Sequence, residues 1–214
     1  MRRVLLAACI SWVLTTVTVV EGQEAGRNGG GPLPPPGYGT LTQDDVSLRI
    51  RTADIDLRFI PLDLRVTTLL AKDSWESLRS LVESRRPSID SVARRAGVSH
   101  PGLALVTFFS QRANARFDPQ TLTLATRNRI FQPLGIVPFT PRFTAQQLNV
   151  REQVSAIYLF EEDLPVTDSF TISYAGLSSE DWQRRQPVLD RERARIASRA
   201  RTARQDTTTR DTTH

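Results

Sequence analysis

Two segments near residue 50 alternate strictly between hydrophobic and polar residues. They cover residues 46–52 and 55–62, with a short connection around Ala53 between them. A period of two residues is typical of a strand that buries one face. The sequence therefore predicts a hairpin of two half-buried strands at the start of the folded part. The positions expected to face the core are Val46, Leu48, Ile50, Ile55, Leu57 and Phe59.

Residues 73–97 show helical spacing instead, with hydrophobic residues three or four apart. Asp73 and Glu76 resemble a capping box at the start of a helix. Pro87 is expected to end that helix, because proline removes a backbone donor, and Gly97 is expected to end a second one. We therefore predict two short helices, inserted between strands, that cover one end or edge of a sheet.

The middle of the chain indicates further strands. Leu103–Phe109 and Val154–Phe160 are hydrophobic on both faces, which is typical of central strands. Residues 129–139 contain Pro133 and Pro138, so this segment is expected to form an edge strand or an irregular crossing. The residues expected in the core are Leu105, Phe109, Ile157, Leu159 and Ile172.

These patterns together predict a mainly β domain over residues 38–189. The expected fold is an antiparallel, immunoglobulin-like β-sandwich of about seven strands with a short helical insertion and a C-terminal helix, and a distorted barrel is the alternative. The sheet is expected to end at Gly176. The C-terminal helix should begin near Ser178 and pack Trp182 on the domain. Residues 190–214 are interpreted as the arginine-rich end of that helix followed by a disordered tail.

The first 22 residues have the pattern of a signal peptide. Arg2 and Arg3 precede 17 uncharged residues, Val4–Val20, which is fewer than the roughly 20 apolar residues of a membrane span. We expect cleavage after Gly22 and export to the periplasm or the extracellular space. Residues 23–37 are rich in glycine and proline and are interpreted as a linker. An uncleaved N-terminal anchor is the alternative.

Cys9 is the only cysteine, and a lipid attached to it is not expected. Five apolar residues separate it from Arg3, whereas the apolar region of a signal needs about 7 to 15. Signal cleavage would leave a mature chain without disulfides, so the core alone must stabilise the fold. The ratio of 27 arginines to one lysine is typical of a GC-rich bacterial genome.

The sequence offers little catalytic chemistry. His100 and His214 are the only histidines, and the only cysteine, Cys9, lies in the predicted signal peptide. This argues against thiol catalysis and against thiolate or multi-histidine metal sites in the mature chain. His100 is expected to be a loop residue. No phosphate-binding glycine pattern occurs, so no cofactor is expected.

One loop concentrates carboxylates. The sequence EEDLPVTD places four acidic residues between two predicted strands: Glu161, Glu162, Asp163 and Asp168. Carboxylate oxygens can bind calcium, or a carboxylate pair can catalyse glycoside hydrolysis. The spacing matches no known calcium motif, and a solvated loop is the simpler interpretation.

Basic residues concentrate at the C terminus. Residues 178–214 hold nine arginines against six acidic residues, whereas residues 38–177 hold 16 basic and 15 acidic residues. A solvated helix is the simpler interpretation, and contact of one helical face with an anionic envelope surface, either lipid or polysaccharide, is the alternative. Specific nucleic-acid binding is not expected. The arginines of that face are Arg184, Arg191, Arg195 and Arg199.

The leading hypothesis is an exported, non-catalytic interaction module of the envelope or periplasm, with its partner unidentified. The alternatives are a carboxylate-based glycan hydrolase and a structural envelope protein held by an uncleaved N-terminal anchor. Aromatic residues of the kind that line carbohydrate sites are expected in the core instead. They are Trp75, Tyr158, Tyr174 and Trp182.

Overall fold

The structure, a computed structural model, describes residues 33–211, so the predicted signal peptide and most of the predicted linker lie outside it. It is mainly β, with antiparallel sheets and a C-terminal helix. The described residues form three α-helices: α1 (Leu64–Thr67), α2 (Lys72–Ala96) and α3 (Asp181–Asp211). They form eleven strands: β1 (Leu48–Arg51), β2 (Ile55–Pro61), β3 (Gly102–Ser110), β4 (Ala115–Arg116), β5 (Thr123–Ala125), β6 (Ile130–Phe131), β7 (Gly135–Pro138), β8 (Gln147–Leu148), β9 (Gln153–Phe160), β10 (Thr171–Tyr174) and β11 (Leu177–Ser179).

Two sheets contain most of these strands. The five-stranded sheet has the order β1-β2-β3-β9-β7, and the four-stranded sheet has the order β11-β10-β5-β6. A separate pair joins β4 to β8. The central position predicted for Leu103–Phe109 is confirmed, because β3 lies in the middle of the five-stranded sheet between β2 and β9.

The segment with two prolines passes from one sheet to the other. Its first part is β6, an edge strand of the four-stranded sheet, and its second part is β7, an edge strand of the five-stranded sheet. Pro133 lies between the two strands and Pro138 ends β7. The prediction of an edge strand or irregular crossing is confirmed, since prolines avoid the positions that a central strand would pair on both sides.

The two sheets share one hydrophobic core. Phe108 of β3 lies 5.5 Å from Tyr174 of β10, and Phe59 of β2 lies 6.4 Å from Phe170, measured between ring centroids. The prediction that Phe109 lies in this core is wrong, because its neighbour Phe108 points inward and a strand alternates. Phe109 is 36% exposed on the outer face of the sheet. The other four predicted core residues are buried: Leu105, Ile157, Leu159 and Ile172.

Helix α2 is one continuous helix, so the prediction of two helices separated at Pro87 is wrong. Pro87 is exposed, and the carbonyl group that it leaves without a helical donor therefore faces water. The predicted capping box is also wrong, because Ala71 is the N-cap and makes no side-chain hydrogen bond. Gly97 ends the helix in the left-handed conformation, as expected, with φ of 72°.

Helix α2 covers only part of the outer face of the five-stranded sheet. It approaches closely at Gly135, where a Cβ added to the glycine would lie 2.3 Å from Cγ1 of Val92. Ile89 and Ala93 of the helix share one hydrophobic cluster with the strands beneath them. We call the sheet residues of that cluster the covered half of the outer face: Leu103, Val137, Ile157 and Leu159.

The sheet continues past the point where the sequence predicts its end. Ala175 and Gly176 both have positive φ, 49° and 78°, and form the two-residue turn between β10 and β11. Such turns match the twist of a hairpin, so Gly176 connects two strands rather than ending the sheet. The predicted helix start near Ser178 is also wrong, because Ser178 lies in β11.

Helix α3 begins at Asp181, continues through Pro187 and extends to Asp211, further than the sequence predicts. Three apolar residues on one side of α3 are fully buried in the shared core, which fixes the helix to the β domain. They are Trp182, Leu189 and Ile196.

Candidate functional site

Trp182 attaches the first turn of α3 to the β domain, as the sequence predicts. Its indole Nε1 donates a hydrogen bond of 3.2 Å to the carbonyl of Val166. Its ring lies 4.9 Å from that of Phe170, centroid to centroid. A buried indole with both an apolar contact and a satisfied N–H is a stable anchor.

Glu192 attaches the middle of α3 by polar contacts. Its side chain is buried and accepts hydrogen bonds from Thr40, with 2.7 Å from the backbone N and 3.2 Å from Oγ1. Nε of Arg195 donates to the same carboxylate at 2.7 Å. Burial raises the pKa of Glu192, but the hydrogen bonds from Arg195 and Thr40 outweigh it and hold the pKa below its ordinary value. The ionised carboxylate therefore stabilises the contact between α3 and the segment before β1.

The predicted anionic-surface arginines divide into two groups. Arg184, Arg191 and Arg199 are exposed on α3. Arg184 pairs with Asp181 at 3.1 Å. Arg195 is only partly exposed and uses its donors on Glu192 and Thr40, so it serves the attachment of the helix rather than its outer surface.

The acidic loop binds an arginine. Nη2 of Arg129 lies 2.6 Å from Oε2 of Glu161, and Nη1 lies 2.7 Å from Oε1 of Glu162. Asp163 and Asp168 are exposed. Over residues 33–211, no three histidine, cysteine, aspartate or glutamate residues come together as a metal-binding group. One guanidinium thus pairs with the carboxylates of both Glu161 and Glu162.

The other candidates from the sequence are His100 and the four aromatic residues. His100 is exposed and its Nδ1 lies 3.1 Å from Oγ of Ser99. Trp182, Tyr158 and Tyr174 are buried, as expected, and burial raises the pKa of both tyrosines. Trp75 is partly buried and packs against the core, with the guanidinium of Arg79 4.9 Å above its ring.

A second surface, on the outer face of the five-stranded sheet, is not predicted from the sequence. Beyond the covered half, four strands present mostly polar residues in two adjacent rows. In one row, neighbouring residues on β1, β2, β3 and β9 are Arg49, Arg58, Thr107 and Ser155. In the next row they are Arg51, Asp56, Phe109 and Gln153. We call these eight residues the open half.

A recess of about 320 Å³ lies over the open half. Leu105 and Ile60 form its apolar boundary with the covered half, and Gln43 adds an amide from the segment before β1. The hydroxyl oxygens of Thr107 and Ser155 lie 2.8 Å apart across neighbouring strands. The signal in the sequence is the change from leucine and isoleucine to threonine and serine at alternate positions late in β3 and early in β9.

The three arginines of the open half pair with only two carboxylates, those of Asp44 and Asp56. Nη2 of Arg49 and Nη2 of Arg58 lie 3.2 Å and 2.9 Å from the same Oδ1 of Asp44. Arg51 pairs with Asp56 at 3.1 Å. Burial lowers the pKa of Arg58, since desolvation penalises its cation more than Asp44 stabilises it.

No protein family, curated protein or solved structure matches this chain. Among residues 33–211, no helix combines the length and the apolar character that a membrane crossing requires.

Proposed function

We propose that this chain is an exported, non-catalytic interaction module built on an immunoglobulin-like β-sandwich. It acts in the periplasm or outside the cell, and its exposed α3 arginines contact an anionic surface of the envelope. The export part of the proposal rests on the signal pattern of residues 1–22, which lie outside the described part of the chain.

One observation supports α3 as the contact surface: its inner side is fixed to the β domain, while several of its arginines are exposed. Trp182, Leu189 and Ile196 bury the inner side. Arg184 and Arg191 remain exposed on the outer side, and Arg199 is exposed about one turn beyond Ile196. A helix fixed in this way presents its charges with little loss of freedom on binding.

The charge of this surface favours an anionic partner. A basic side chain near an anionic membrane contributes about 1 kcal/mol, and its effect decays over roughly 8 to 10 Å at physiological salt. Three exposed arginines on one helix therefore support weak, salt-sensitive adhesion. Arginine also binds phosphate and carboxylate groups with two parallel hydrogen bonds.

The sandwich part of the proposal is supported by the layout of the sheets. Two antiparallel sheets share one core, and residues 129–139 cross from an edge of one sheet to an edge of the other. Two sheets that pack face to face over a shared core are typical of β-sandwiches.

The alternatives drawn from the sequence have less support. A carboxylate-based glycan hydrolase needs two carboxyl groups about 5 to 9.5 Å apart with a substrate between them. Glu161 and Glu162 of the acidic loop instead bind Arg129. An uncleaved N-terminal anchor depends on residues outside the described part.

The experiment compares two triple variants of the full-length chain. Replacing Arg184, Arg191 and Arg199 with glutamine removes the proposed contact, while the same change at Arg86, Arg94 and Arg95, exposed on α2, is the control with equal charge. Cosedimentation with vesicles that contain anionic lipid is measured at low and at physiological salt. We expect the α3 variant to lose at least about tenfold in affinity at low salt and the control less than about threefold, since general charge attraction is common to both. Equal losses in the two variants, or no loss in either, would contradict the proposal.

Truncation of the tail is a poor substitute for this experiment. Cutting after Leu189 removes Glu192 and Ile196, which are buried against the β domain. The loss of those contacts would lower stability and confuse a folding defect with a binding defect.

A further inference from the structure

The recess over the open half has the size of a small-molecule site rather than of a protein interface. Its volume of about 320 Å³ is at the lower end of the roughly 300 to 1,000 Å³ of known ligand pockets. Strands pack side by side beneath it, so its floor is held by the backbone hydrogen bonds of β2, β3 and β9. Such a floor is preformed before any ligand arrives.

The floor combines one aromatic ring with hydrogen-bonding groups. Phe109 is partly exposed and lies between Asp56 and Gln153 in its row. Thr107 and Ser155 follow in the next row, with their hydroxyl groups bonded to each other. An aromatic ring offers an apolar platform to the C–H face of a sugar, and the amide and hydroxyl groups match its hydroxyls.

The charge of the recess favours a carboxylate on that sugar. Arg49 and Arg58 line the recess and share a single carboxylate, Asp44. The third nearby arginine, Arg51, has Asp56 as its partner. The three arginines therefore carry one charge more than the two carboxylates. Arg58 is the least exposed of the three, and a partly buried cation is stabilised by pairing with an anion.

We propose that this recess binds a saccharide that carries a carboxylate group. The sugar ring packs on Phe109, its hydroxyls bond to Gln153 and to the Thr107–Ser155 pair, and its carboxylate bonds to Arg49 and Arg58. The site lies on β1, β2, β3 and β9, whereas the proposed envelope contact lies on α3, so either proposal can fail without the other.

The experiment measures binding by isothermal titration calorimetry with the full-length chain. The probes are trigalacturonic acid, its uncharged counterpart galactotriose, and a hexaglutamate peptide. We expect trigalacturonic acid to bind at least about tenfold more tightly than galactotriose, because the arginine contacts are charge-assisted. Absence of binding to trigalacturonic acid at millimolar concentration would overturn the proposal, as would equal or tighter binding of the peptide.

Substitutions then locate the binding. Arg49→Gln is expected to weaken trigalacturonate binding about tenfold, and Phe109→Ala at least about fivefold. Arg112→Gln is the matched control, because Arg112 is exposed, is paired with Asp54 of the β1–β2 connection at 3.4 Å, and does not line the recess. It should change binding by less than about twofold.

Equal effects of Arg49→Gln and Arg112→Gln would mean that general charge attraction causes the binding and would contradict the proposed site. Thermal unfolding of each variant shows whether it is folded. If Phe109→Ala is unstable, Gln153→Ala removes an exposed lining residue instead and is expected to weaken binding about threefold or more. An unchanged affinity in Gln153→Ala would then count against the proposal.

Discussion

The covered and the open half of the outer face lie on the same strands, yet their residues differ sharply in character. On β9, Ile157 and Leu159 are buried under α2, while Ser155 and Gln153 lie outside its reach. On β3 the change from apolar to polar residues falls between Leu105 and Thr107, which pair with Ile157 and Ser155 of β9. The surface under the helix resembles a protein interior, and the surface beyond it resembles a binding face.

The boundary between the two halves is marked by Arg85 of α2. Its Nη2 donates to the carbonyl of Phe139 at 2.7 Å, and its guanidinium lies 5.2 Å from the centre of the Phe139 ring. Phe139 follows β7, where its backbone N donates to the carbonyl of Ser155. Arg85 thus covers the edge of the hydrophobic cluster with its guanidinium over the Phe139 ring.

The largest loss of stability is expected from a substitution in the covered half. Ile157 is fully buried between the sheet and α2. Ile157→Ala should lower the free energy of unfolding by about 2 to 5 kcal/mol, from lost burial and the cavity left behind. Urea unfolding followed by tryptophan fluorescence measures this change. A loss below about 1 kcal/mol would mean that α2 does not pack on the sheet as described.

The strands of both halves were predictable from the sequence, and so were the inward faces of β1 and β2, but the faces of β3 and β9 were not. Strict alternation located β1 and β2, and apolar runs located β3 and β9. In an apolar run such as LALVTFF the alternation is nearly absent, so Phe108 and Phe109 look equivalent although only Phe108 faces the core.

Contacts between distant segments were the other part that sequence reasoning missed. Pro87 signals a helix end by local rules, yet the residues on both sides of it pack on one sheet and keep the helix continuous. Glu192 looks like one charge among many, and only the fold shows that it binds Thr40. The candidate surface of α3 was therefore predictable in composition, while the role of Arg195 was not.

An intermediate loss of stability is expected for a substitution of Glu192, which attaches α3 by charge rather than by apolar contact. Because the pKa of Glu192 is lowered in the folded state, its contribution is complete above the unfolded value of 4.5 and is lost as the pH falls through the lower folded value. Glu192→Gln should cost about 1 to 2 kcal/mol at neutral pH, because a charge-assisted contact becomes a neutral one.

The measurement is urea unfolding at several pH values between about 7 and 3. The variant should lose less stability than the parent chain below pH 4.5. Glu180→Gln, at an exposed glutamate just before α3, is the control and should follow the parent chain. A parallel pH dependence of Glu192→Gln and the parent chain would show that the ionised carboxylate does not hold α3.

The smallest effect is expected from Phe109→Ala, and it tests most directly whether the open half lies outside the core. Urea unfolding of this variant is compared with that of Ile157→Ala under the same conditions. Phe109 is 36% exposed and has no helix above it, so the expected loss is about 1 kcal/mol. A loss as large as that of Ile157→Ala, about 3 kcal/mol or more, would contradict the division of the outer face into a covered half that stabilises the fold and an open half that is free to bind.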